Sequence, residues 1–282
     1  MGLNLGSDFK LARQQWLYEA KGGQSLTAAF LLMIGLFLVL SILQAVFAYI
    51  AFAGFFGDWQ VLATGETAGL AVFTKAAVIG LMPASLIGAW ICWRASLWWN
   101  PTQQRGLALH LPALGILGWL LVIIGFVLVV YGIYFLTFAI LGIDPNDYAP
   151  TAGGLDDASS MAGVMEKVLA DLSDEPLLFA LAVPGITVFV PLAEELIFRG
   201  AIFSALVNSW FGKSGAVLIT SAIWALIHGA TAPWLFVGII FMMGIVLGVL
   251  LLRFGSLWVT IVCHCVWNAL TSLSIFGGVA AS

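Results

Sequence analysis

The chain of 282 residues is 62% hydrophobic and only 9% charged, with 12 tryptophans and a formal net charge of −4. Soluble domains carry about 25% charged residues, so an ordinary water-soluble fold is excluded, and the absence of a basic cluster argues against nucleic acid as a partner. The three cysteines, Cys92, Cys263 and Cys265, lie in apolar segments without paired spacing, which speaks against a disulfide framework or a Cys-rich metal site.

Residues 1–25 are polar, with Lys10, Arg13 and Lys21, and form an N-terminal segment ahead of the first apolar run. That run is too long for the core of a cleaved signal, so no removable targeting peptide is expected. Apolar runs then recur near 27–55, 76–97, 111–141, 177–198, 216–231, 234–252 and 257–276. A hydrocarbon core about 30 Å thick takes roughly 20 helical residues. The fold class is therefore all-α, a polytopic membrane helix bundle of about seven to eight transmembrane helices. The eighth depends on 201–211, which is either a short interfacial helix or part of an additional broken span. Gly244 and Gly248 have the spacing of close helix packing, with Gly238 before them.

The organisation that follows is a cytoplasmic segment 1–25, N-terminal transmembrane helices over 26–143, an extramembrane insertion over 144–176 and a C-terminal unit over 177–282. Within the insertion, Met161, Val164, Met165, Val168, Leu169 and Leu172 recur at helical spacing and predict an amphipathic helix on the outer surface. Lysines and arginines set the orientation. With a cytoplasmic N-terminus, Lys10, Arg13, Lys21, Arg94, Arg105, Arg199, Lys213 and Arg253 face the cytoplasm and only Lys75 and Lys167 lie outside. An inner or plasma membrane location is expected.

Ionisable groups inside apolar spans are functional candidates by default. Glu195 and Arg199 are four residues apart on one helix face, Glu first, and suit a charge pair. Glu194 is rotated about 100° from Glu195 and is aimed toward whatever cavity the neighbouring helices enclose. A carboxylate without a permanent counter-charge there is a candidate general base. His264 and Asn268 share a face one turn apart, and His228 sits late in the fifth run. Together Glu194, His228, His264 and Asn268 supply what activating a water and holding an oxyanion require. One tension arises from simple threading, which puts His228 at the opposite depth from Glu194 and His264 unless 201–211 re-enters the bilayer.

Taken singly, each group has a plainer role: a Glu–Arg pair anchors a helix end, and an intramembrane His or Asn links helices. Their order is more specific. Glu194-Glu195-x-x-x-Arg199, Trp224-x-x-x-His228 and His264-x-x-x-Asn268 resemble the EExxxR, FxxxH and HxxxN motifs of the CPBP family, the CAAX-prenyl-protease and bacteriocin-processing group also called Abi. The resemblance covers the C-terminal third, with Trp224 standing where the family has phenylalanine. It implies an intramembrane endopeptidase acting on a membrane-associated peptide or protein. Glu194 and His228 would activate water, and His264 and Asn268 would stabilise the oxyanion. Glu195, Arg199 and Trp224 would be structural support. No cofactor is expected, since HExxH is absent; if zinc were used, Glu194, His228 and His264 would be its ligands.

Two other functions use the same residues. A non-catalytic peptide-binding, immunity or scaffold protein would need them only to lock helices. An ion or proton-coupled transporter would use them as a relay, but it predicts inverted repeats, and none is visible. Substrate sequence and oligomeric state are not encoded in any motif.

Overall fold

The computed structural model describes residues 17–19, 25–57, 67–99, 107–144, 175–229 and 232–280. Among them every regular element is helical. In chain order these are α1 (Leu26–Phe56), α2 (Thr67–Trp99), α3 (Ile116–Leu141), α4 (Pro176–Val207), α5 (Gly212–His228), α6 (Trp234–Phe254) and α7 (Leu257–Ala280). The seven helices coincide with the seven apolar runs, so the chain is a polytopic helical membrane bundle. By length and composition, α1, α2, α3, α4 and α6 are each able to cross a bilayer, and Leu257–Leu273 of α7 is a shorter apolar helix. The amphipathic helix expected within 144–176 and the polar segment before Leu17 lie outside the described residues.

Lipid-facing and core-facing residues separate by position around each helix. Along α1, Leu31, Ile34, Leu38 and Ile42 are exposed, whereas Leu36 and Ala48 are buried. Such outward leucines are what hydrocarbon solvates. The main core instead gathers around α4, where Ile197, Phe198, Ile202, Phe203 and Leu206 are almost wholly buried with Trp224 of α5 and Leu247 and Leu251 of α6.

Close approach fixes the register of α5 on α6. A Cβ on Gly244 would meet Ser221 at 2.9 Å, and one on Gly248 would meet Val217 at 3.2 Å, whereas Gly238 has nothing within 4 Å. The first two glycines therefore serve the close packing expected from their spacing, and Gly238 does not.

The segment before α7 is held from two directions. Leu257 N–H donates to the Ala108 carbonyl at 2.8 Å, Ser256 to the His110 carbonyl at 2.6 Å and Trp258 Nε1 to the Leu109 carbonyl at 2.9 Å. On the neighbouring helix end, Tyr18 N–H donates to the Leu252 carbonyl, and its ring meets Phe203 edge-on at 5.3 Å. These contacts fix where α7 starts and so the depth of His264.

The depth tension is resolved by a correction to the expected path. The 201–211 segment neither re-enters nor adds a span, because α4 runs on without a break to Val207 before a short turn leads into α5. Glu194 consequently sits well inside α4 rather than at its end. Trp224 and His228 return alongside it on the antiparallel α5.

Candidate active site

The local sequence of α4 is unusual for a spanning helix, because Pro184 and Pro191 each remove an amide hydrogen. The helix carries two wider π-helical turns, Gly185–Phe189 and Leu196–Ile202, on either side of the short α-helical stretch Val190–Glu195. Turns of this kind occur often at functional sites. In the first, Val190 N–H bonds the Gly185 carbonyl. The Ile186 carbonyl is then in register with Pro191, which has nothing to donate. Asn268 supplies the missing donor from α7, with Nδ2 3.0 Å from that carbonyl. One hydrogen of the Asn268 amide thus pins α7 to the α4 turn, and the amide has a second hydrogen to give.

Behind the glutamate pair lies a fully buried network. Glu195 and Arg199 both have no exposed side-chain surface, and Arg199 Nη1 donates to Glu195 Oε1 at 3.0 Å. The guanidinium also lies over the Trp224 ring, its Cζ 4.4 Å from the centroid, a cation–π contact in a desolvated setting. His264, 2% exposed, places Nδ1 3.0 Å from the same Glu195 oxygen. A carboxylate can only accept, so Nδ1 carries the hydrogen and Nε2 is the nitrogen left for other partners.

That second nitrogen faces Glu194. His264 Nε2 is 3.8 Å from Glu194 Oε2, and the same oxygen receives the Trp224 indole N–H at 2.9 Å. Trp224 is the hub of the site. Its ring meets His264 edge-on at 5.2 Å and His228 at 5.1 Å. His228 Nδ1 lies 2.7 Å from the Trp224 carbonyl, so here too Nδ1 is the donor and the Nε2 of a neutral ring is an acceptor. Glu194, Trp224 and His264 are in direct contact, His228 joins through Trp224, and Asn268 is turned toward the Ile186 carbonyl.

Glu194 retains 20% of its side-chain exposure. It opens into a cleft of about 180 Å³ bounded by α1, α2 and α4, whose lining includes Ser41, Gln44 and Ser85 with Phe37, Leu40 and Phe198. No sequence motif marks the α1 and α2 residues of this lining. The available signal was a glutamine in the middle of an otherwise apolar span.

A zinc ion would need at least three converging protein donors in a catalytic site. Among the described residues no group of three His, Cys, Asp or Glu side chains is arranged to hold a metal. Of the three ligands a zinc ion would use here, Glu194 Oε2 and His264 Nε2 stand 3.8 Å apart, while His228 meets the site through the Trp224 ring.

Residues 176–270 match the family model described as type II CAAX prenyl endopeptidase Rce1-like. This bears out the resemblance to the CPBP group over α4 to α7 and leaves α1 to α3 outside the matched segment. No curated protein and no solved structure matches the chain.

Proposed function

We propose that the chain is an intramembrane endopeptidase that hydrolyses a peptide bond of a membrane-associated peptide or protein, using water activated by Glu194 without a metal. The observation that carries this reading is the meeting of Glu194 and His264 at one depth, from separate helices, with a fully buried Glu195–Arg199 pair behind them. Holding helices together does not require an imidazole clamped by one carboxylate and turned toward a second. The family match over the same residues supports a protease.

In the proposed cycle Glu194 takes a proton from water as its oxygen attacks the scissile carbonyl carbon. The tetrahedral oxyanion is met by His264 Nε2, which donates when the ring is doubly protonated, and by the second amide hydrogen of Asn268. His228 orients the water through its accepting Nε2. The carbon–nitrogen bond then breaks, the proton held by Glu194 passes to the leaving amine, and the new carboxylic acid gives its own proton up to leave a carboxylate and an ammonium group. General base and oxyanion groups of this kind each contribute about 10²–10⁴-fold.

The bias of lysine and arginine along the chain supports a cytoplasmic N-terminus in an inner or plasma membrane. The test is to compare membrane peptides, by mass spectrometry, in cells carrying the wild type, no protein or Glu194→Gln. New peptide ends should appear only with the wild type. Identical peptide profiles in all three would overturn the proposal.

A further inference from the structure

The cleft that receives Glu194 has polar groups for which the catalytic reading has no use. Gln44 lies in the middle of α1, a helix of otherwise apolar character, and its carboxamide has no hydrogen-bond partner among the described residues. Ser85, from α2, is only 6% exposed, faces the same cleft and is likewise without a partner among them. Ser41, one helical turn from Gln44, is by contrast satisfied by the Phe37 carbonyl at 2.8 Å. Polar side chains at membrane depth are costly unless paired. Two that stay unpaired, from two helices and around one cleft, point to an occupant that pairs them.

We propose that Gln44 and Ser85 bind the main chain of an extended peptide and lay it against Glu194, an inference that rests on the endopeptidase reading and names its substrate-holding residues. A peptide group offers one N–H and one C=O, and a carboxamide is the side chain that complements both. A lipid acyl chain offers neither. A lipid headgroup does not reach the site, because Gln44 is 12 residues from the nearer end of α1, Phe56, about 15 Å or more along the axis. The rest of the lining, including Phe37, Leu40 and Phe198, is apolar, and about 180 Å³ is room for one apolar side chain. Pro83 removes one amide donor from α2 two residues before Ser85, within an otherwise continuous α-helix. Gln44 and Ser85 both lie outside the family-matched segment. The proposed substrate contacts therefore come from helices that the family model does not describe.

The experiment uses the full-length protein in proteoliposomes with a pool of internally quenched random peptides, each bearing one acyl anchor. Gln44→Leu and Ser85→Ala should each raise KM about fivefold or more, the effect of losing a hydrogen bond, while lowering kcat less than twofold. Gln44→Leu places a more apolar group in a membrane span, so a folding defect is not the expected cause, and an unchanged melting temperature verifies this. In parallel, a photoreactive benzophenone residue at Ser41 in the Glu194→Gln background should crosslink the peptides, and adding Gln44→Leu should remove the crosslink. Cleavage by the wild type with KM unchanged in both variants would overturn the inference and leave the endopeptidase reading standing. A crosslink that depends on Gln44, in a protein whose wild type never cleaves, would sustain peptide binding and overturn the endopeptidase reading.

Discussion

Glu195 receives His264 Nδ1 at 3.0 Å on the same oxygen, Oε1, that takes Arg199. The pair that first reads as a helix anchor is thus also what orients the imidazole. Its second oxygen, Oε2, is buried without a hydrogen bond, so the carboxylate depends on Oε1 for its compensation. Removing Arg199 leaves a buried charge unpaired, and Arg199→Ala should destabilise the protein by about 3–5 kcal/mol, read as a fall in melting temperature in detergent. The double variant Glu195→Leu/Arg199→Leu should recover most of that stability, because isosteric apolar replacement of a buried pair is often neutral. It should not recover cleavage, since His264 would have lost its acceptor. Recovery of both would show that Glu195 does nothing for the imidazole.

Glu194→Gln keeps the shape of the side chain and its contact with Trp224 while removing the base. Turnover should drop by about 10²-fold or more with melting temperature unchanged. Normal cleavage by this variant would remove Glu194 from the mechanism.

Trp224 combines an N–H bond to Glu194 with a ring under Arg199 and beside both histidines. Trp224→Phe keeps an aromatic face and loses only the donor, so activity should stay within about tenfold of wild type. Trp224→Ala empties a fully buried site and should cost about 3–5 kcal/mol, together with activity. Equal activity loss in the two variants would mean that the indole hydrogen, rather than the ring, is what matters.

Asn268 has two proposed duties that a double-mutant cycle separates. Asn268→Ala orphans the Ile186 carbonyl and should cost about 1–3 kcal/mol. Pro191→Ala restores an amide hydrogen in register with that carbonyl, so in its background Asn268→Ala should lose less stability. Turnover should stay low in both backgrounds. If Pro191→Ala also rescues turnover, Asn268 acts only as a pin.

Metal-free hydrolysis predicts that purified protein dialysed against a strong chelator retains its full cleavage rate in the proteoliposome assay. Loss of activity that added zinc restores would overturn it.

The sequence made the helices legible because lipid forces each span to be long, apolar and internally hydrogen-bonded. The Glu195–Arg199 contact was equally legible, since a spacing of four fixes neighbours on a helix without reference to the rest of the fold. Other relations were not. The position of His228 depended on how far α4 continues before turning, and 201–211 carries no strong breaker to mark that end. The bond from His264 to Glu195 joins residues 69 positions apart, for which no local rule exists. Gln44 was visible as a polar residue in a span, but only the packing of α1 and α2 on α4 shows that it faces Glu194 across a cleft.

The tight seating of Gly244 on Ser221 and Gly248 on Val217 matters beyond the glycines themselves. Ser221 lies one turn from Trp224 on the same helix, so whatever slides Ser221 slides the indole with it. A slip by one turn would carry Trp224 about 5.4 Å along the axis, farther than its bond to Glu194 can stretch. The height at which the indole meets Glu194 is therefore gauged by α6, a helix that contributes no group to the proposed chemistry.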